Sequence, residues 1–255
     1  MLPAVRIMRH FLYFALLSPM AATAAHADEF PPDLVVFCEP TLRPVLAQIG
    51  ELWQNRTGVP VRVIAAPTPL LLEQLYHHIR SDLIVAQGDP AQAVERHLIK
   101  PETRFDAWRN RLVVAQEVGQ AANSWPAVLH DGKNRVALVD EALASEGKAT
   151  QQALESGGLL DAAAGRSIGT ADTADAAFLL TTGVARFAVI EATDLAADPS
   201  LTSAGTLADE SYPAIRYWIA QTSATVSPDT ARFEAFLRDK PAQEIARRNG
   251  LEVLP

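Results

Sequence analysis

The chain has 255 residues, 49% of them apolar, and its 30 acidic side chains outnumber its 22 basic ones to give a formal charge of −8. So acidic a chain is excluded as a nucleic-acid binder, which needs basic stripes, and so apolar a chain can bury a real core and is excluded from the disordered class. The single cysteine, Cys38, excludes an intramolecular disulfide and any Cys-rich zinc site.

The first residues read as an export signal. Arg6, Arg9 and His10 form a basic start, residues 11–17 a short apolar run, and Ala25-His26-Ala27 a small-residue cleavage site that leaves Asp28 as the new N-terminus. The apolar run is too short for a membrane anchor, and no cysteine at the cleavage site offers a lipid anchor. The two arginines leave with the signal, so the mature chain is more acidic still. It is expected in the periplasm, soluble and monomeric.

Beyond the signal, the apolar spacing alternates between strand and helix, the mark of an α/β fold. Residues 34–37 read as a buried strand. Leu42, Val45, Leu46, Ile49, Leu52 and Trp53 then recur at helical spacing up to the stop at Gly58. Val59, Val61 and Val63 alternate as a strand, 69–78 reads as a helix and 82–86 as a third strand, and Gly88-Asp89-Pro90 starts a short helix towards His97. A second unit begins at 112–115. There 119–126 reads as loop, 135–139 as strand, and 147–155 as a helix stopped by Gly157-Gly158. A further helix, 172–182, stops at Gly183 and leads into the strand 187–190. A loop rich in Asp, Ser and Thr follows, then a strand at 215–220 and helices at 229–238 and 241–248, with Asn249-Gly250 as the final stop.

Four segments together resemble the molybdate-type periplasmic binding protein of ABC transporters. They are Val36-Phe37-Cys38-Glu39-Pro40-Thr41-Leu42 with the helix ending in Thr57-Gly58-Val59, the stretch 68–75 leading to 81–86, the stretch 140–154 around Gly147, and the ending 233–237 with 242–252. The resemblance runs through essentially the whole mature chain. It implies a two-lobed α/β fold of the periplasmic-binding-protein type (type II-like) with a ligand cleft between the lobes. One lobe would hold 28–112 plus 213–255 and the other 113–212, with hinge crossings near Leu112 and Pro213. It also implies no catalysis, no cofactor, a small-molecule or ion ligand, and an ABC permease as partner.

In that family an oxyanion is held by hydroxyls and backbone N–H groups at helix starts, which carry unpaired donors and partial positive charge. Carried over by position, the resemblance makes Thr41 and Thr68 the two hydroxyl residues and Ala174 a backbone donor; both threonines are also good helix caps in their own right. Three positions depart from the pattern. Glu39 replaces a small residue, Glu146 an alanine and Glu191 a tyrosine, while Pro69 removes one N–H beside Thr68. A carboxylate about 5 Å from a dianion repels it by about 1.7 kcal/mol in water and about 6.6 kcal/mol at an effective dielectric near 20. Plain molybdate is therefore not the expected ligand. If Glu39, Glu146 and Glu191 converge, they suit a hard metal ion or an organic amine. If they do not, each is a glutamate on a solvated helix start. The remaining alternative is a sensor or partner protein that keeps the fold without transport.

Other patterns carry less. His77-His78 point about 100° apart on a helix and lack the i, i+4 spacing of a metal pair, so they are expected on the surface. Cys38, at a strand end, is expected to be a buried, inert thiol rather than the nucleophile of a hydrolase. No G-x-S-x-G, H-E-x-x-H or P-loop occurs. Trp53, Tyr76, Trp108 and Trp218 sit in apolar patterns and read as core.

Overall fold

The strands gather into two sheets in the computed structural model, which describes residues 33–120, 125–130, 134–225 and 227–255. The expected export signal lies outside these residues. The first sheet starts with β1 (Leu34–Cys38), a run of five buried side chains. A 3-10 turn at Pro40–Leu42 leads into α1 (Arg43–Thr57). This helix buries Val45, Leu46, Ile49 and Trp53 along one face and ends at Gly58, whose φ of 76° supplies the left-handed cap. Next come β2 (Val61–Ala65), α2 (Thr68–Tyr76), β3 (Leu83–Gln87), α3 (Ala91–Glu95) and β4 (Phe105–Asn110).

The second sheet takes the middle of the chain. In order it has β5 (Leu112–Glu117), α4 (Trp125–His130), β6 (Val136–Val139), α5 (Ser145–Ser156), α6 (Leu160–Ala164) and β7 (Ser167–Thr170). These are followed by α7 (Thr173–Thr181), β8 (Phe187–Glu191), α8 (Ala192–Ala197) and β9 (Leu201–Thr206). The chain then returns to the first sheet with β10 (Ile215–Gln221), α9 (Asp229–Arg238), α10 (Lys240–Arg248) and β11 (Glu252–Val253).

The first sheet has the order β11-β4-β10-β3-β1-β2 and the second β7-β6-β8-β5-β9. Around β1 the pairing is parallel, with Val36 opposite Val63 on one side and Leu83 on the other, while β10 runs antiparallel to β3 and β4. In the second sheet β6 lies parallel to β7 and β8, and β5 antiparallel to β8 and β9. A parallel strand needs a crossover helix, and the loops that start those helices all leave from the carboxyl ends of the strands, where α/β sheets hold ligands. The fold is thus the two-lobed α/β architecture, with both sheets sending such loops to one cavity.

The core follows the apolar runs. Trp53 packs its ring against Phe233 and Phe236 with centroids 5.4 Å away in each case, which ties α1 to α9 across the length of the chain. Fully burying side chains of this kind contributes about 1.5–3 kcal/mol each. Trp108 and Trp218 are also buried, but Tyr76 is not: it is 52% exposed, with the Arg96 guanidinium 4.0 Å above its ring. Its apolar spacing misled because it closes the last turn of α2, where that face has run out of core.

Two stretches read as loop contain structure. α4 begins at Trp125, whose indole packs so closely on Gly205 that a Cβ there would lie 2.7 Å from the ring. The segment after β8, rich in Asp, Ser and Thr, forms α8 and β9. His77 and His78 lie exposed beyond α2, and Cys38 is buried, its thiol pushed up first by burial and then by the Glu39 carboxylate. Among the described residues no helix is long and apolar enough to cross a membrane.

Candidate functional site: an acidic cavity between the two sheets

A cavity of about 390 Å3 opens where the carboxyl ends of the two sheets face one another. Glu39, Thr41, Thr68, Glu146, Ala174 and Glu191 all lie on its wall. Glu39 comes directly after β1 and Thr68 opens α2 after β2. Glu146 sits in the first turn of α5, Ala174 in that of α7, and Glu191 is the last residue of β8. Glu146 is placed by Gly147, where a Cβ would lie 2.5 Å from the carbonyl carbon and oxygen of Asp140. Only glycine lets the start of α5 approach the turn after β6 so closely.

Several hydrogen-bond donors on this wall are taken within the protein. Glu39 Oε1 accepts the Thr68 backbone N–H at 2.7 Å and the Thr68 hydroxyl as well, so the protein's own carboxylate occupies the start of α2. The Thr68 hydroxyl oxygen in turn accepts the Gln87 N–H at 3.0 Å. The Thr41 and Thr193 hydroxyls bond to one another, Asn110 Nδ2 donates to Thr193 at 2.9 Å, and Thr41 donates to Asp194 Oδ1 at 3.2 Å. This chain of bonds links β4 to α8, and so one sheet to the other. At α7 the Asp172 side chain accepts the Asp175 N–H at 2.8 Å as an N-cap. Pro40, Pro67 and Pro69 line the cavity without any N–H to offer.

The acceptors are not all taken. Glu191 is fully buried; its Oε1 accepts the Tyr217 hydroxyl at 2.8 Å, and its Oε2, equally shut from solvent, has no hydrogen-bond partner. Asp194 Oδ2 is likewise buried and without a partner. Among the described residues six acidic side chains line the cavity, Glu39, Asp89, Glu141, Glu146, Asp172 and Glu191, against the cation Lys148.

Burial and mutual repulsion favour the protonated forms of Glu39, Glu146, Glu191 and Asp194. Burial raises Glu191 well above the usual carboxylate range, helped by Glu146 and Asp194 and opposed by the Tyr217 and Thr41 hydroxyls. Burial lifts Glu39 to about 7, against the Thr68 hydroxyl and N–H and with Glu146 adding to the rise. Asp194 reaches about 6, again first through burial, with the Thr173 and Thr41 hydroxyls opposing. Burial also raises Glu146, which is half-buried.

Carboxylates gathered on one cavity are not by themselves a metal centre. Among the described residues no three His, Cys, Asp or Glu side chains come close enough to hold a metal ion together. Glu39, Glu146 and Glu191 share the cavity, with Glu39 turned onto α2 and Glu191 held by Tyr217 from the first sheet. Asn110, Thr173, Thr193, Asp194 and Tyr217 were not legible as site residues. Only the pair Glu191 and Asp194, three apart at a strand end, offered a signal.

Comparison with known proteins matches residues 34–252 to the family described as bacterial extracellular solute-binding protein. The molybdate-binding protein ModA of Escherichia coli K12 is 23% identical over 249 residues, covering 94% of this chain and 95% of that protein. The periplasmic molybdate-binding protein of Azotobacter vinelandii superposes with a TM-score of 0.77 at 18% identity, covering 88% of this chain and all of that one. Peb3 of Campylobacter jejuni superposes with a TM-score of 0.70 at 14% identity, covering 86% of this chain and 99% of that one. The match to the family model spans the described fold from its first strand to its last, and the chain belongs to the bacterial extracellular solute-binding proteins.

Proposed function

We propose that this chain is the periplasmic solute-binding component of an ABC transporter and that its ligand is a cation rather than a tetrahedral oxyanion. The observation that carries the reading is the cavity's charge: among the described residues six acidic side chains line it against Lys148, and the Thr41 and Thr68 hydroxyls and the Thr68 N–H are already bonded within the protein. A dianion entering there meets repulsion from this acidic wall. A cation meets the buried Glu191 and Glu146 acids. In this reading residues 1–27 are a cleaved export signal. The hinge lies at the two chain crossings between the sheets, at 110–112 and 206–215, and closure about it brings both walls onto the ligand.

The test is a thermal-shift screen of the mature protein against molybdate, tungstate and sulfate on one side and inorganic and organic cations on the other. The reading predicts a melting-temperature rise with a cation and none with the oxyanions. A rise with the oxyanions alone overturns it.

A further inference from the structure

We propose that the ligand is a small organic ammonium ion, its nitrogen received by Glu191 Oε2 and its apolar body lying against Pro40, Pro67, Pro69, Leu72 and Leu143. The inference rests on the cation reading above and narrows it to one chemical class.

The first support is the unpartnered oxygen. A buried carboxylate oxygen without a hydrogen bond costs free energy that a proton or a cation can relieve. Tyr217 satisfies one oxygen of Glu191; the other is buried without a partner, and Glu191 borders the cavity. An ammonium group brings three donors to a wall where six acidic side chains outnumber Lys148 among the described residues. The half-buried Glu146 lies near enough to raise Glu191 by its charge, and so near enough to share the ammonium charge.

The second support separates an amine from a metal. A hard metal ion needs several oxygen ligands converging at about 2.0–2.6 Å, and no such group exists among the described residues. A volume of about 390 Å3 falls in the range of small-organic-ligand pockets and far exceeds one ion. Much of the wall is apolar, and its three prolines add hydrocarbon without donors. That surface suits an alkyl chain.

Binding should displace a proton. The charged and titratable groups facing Glu191 are Glu146 from α5, Asp194 from α8 and Tyr217 from β10, with Glu39 and Lys148 further across the cavity. Burial, Glu146 and Asp194 disfavour negative charge on Glu191 and the Tyr217 hydroxyl favours it, with the balance towards the protonated acid until a cation arrives. The carboxyl O–H bond then breaks, the proton passes to buffer, and the carboxylate pairs with the ammonium.

The experiment is titration calorimetry of the full mature chain with ethyl-, butyl- and hexylammonium and 1,4-diaminobutane, each run in phosphate and in HEPES at pH 7.5. Butanol serves as the neutral control, and manganese(II), calcium and molybdate are run in parallel. The expected result is 1:1 binding of at least one primary ammonium ion, no binding of butanol, and an enthalpy that differs between buffers by the protons released. E191Q keeps the acceptor for Tyr217 and should weaken binding at least tenfold and abolish the buffer dependence. E146Q, at a half-buried helix start, should weaken binding several-fold without loss of fold. If manganese or calcium binds and no ammonium ion does, the inference falls and the cation reading stands. If only molybdate binds, both fall. If no ammonium ion binds, or if one binds equally well to E191Q, the inference is overturned.

Discussion

Replacing Glu39 by Gln removes a charge while keeping an acceptor for the Thr68 N–H and hydroxyl. Glu39 is nearly buried, and its carboxyl is raised from 4.5 to about 7. The native state thus holds this proton more tightly than the unfolded chain does. The stability it contributes is fully present below about pH 4.5 and is lost as pH rises through about 7. With each unit worth 1.36 kcal/mol, the loss amounts to about 3 kcal/mol in ligand-free protein. Glu39→Gln does not titrate and escapes this loss. At pH 4.5 the two proteins should melt together; at pH 8 the variant should be more stable by up to about 3 kcal/mol, or roughly 6–12 °C for a chain of this size. Ligand-free melts from pH 4.5 to 8.5 read this directly. A difference that does not change with pH, or a variant less stable than wild type at pH 8, would refute the reasoning.

Three further outcomes follow from the same contacts. Gly147→Ala puts a Cβ against the Asp140 backbone, which no side-chain rotation can relieve; it should cost about 1–3 kcal/mol in a denaturant melt and weaken ligand binding by shifting Glu146 with the start of α5. Tyr217→Phe removes the hydroxyl that Glu191 Oε1 accepts within a fully buried pair, so it should destabilise the ligand-free protein by about 1–3 kcal/mol in a denaturant melt. Mass spectrometry of protein recovered from the periplasm should find Asp28 as its first residue, and an intact N-terminus would contradict the export reading.

What could be read in the sequence was what local pattern determines. The buried runs at 34–38 and 83–87 and the helical spacing from Leu42 to Trp53 place β1, β3 and α1 within a residue or two, since each buries a face that its own residues define. β4 was not legible because Asp106, Arg109 and Asn110 interrupt its apolar residues; it is a strand because β10 and β11 pair with it on either side. β9, with the sequence LTSAGT, is a strand because β5 lies beside it. At the site, Glu39 and Thr68 could be noticed by position, but nothing local shows that one bonds to the other across 29 residues. Asp194 and Tyr217 were invisible for the same reason. Their roles exist only once Thr41 reaches Asp194 across 153 residues and β10 brings Tyr217 against the end of β8. Charge at a position is a property of the sequence; which donors remain free is a property of the fold.

A cavity lined by Glu39, Glu146 and Glu191, with Glu191 Oε2 unpartnered, should refuse a tetrahedral dianion. Titration of sodium molybdate into the mature, ligand-free protein at pH 7.5 tests it most directly. The account predicts no saturable heat at millimolar molybdate; tight 1:1 binding that Glu191→Gln leaves unchanged would contradict it.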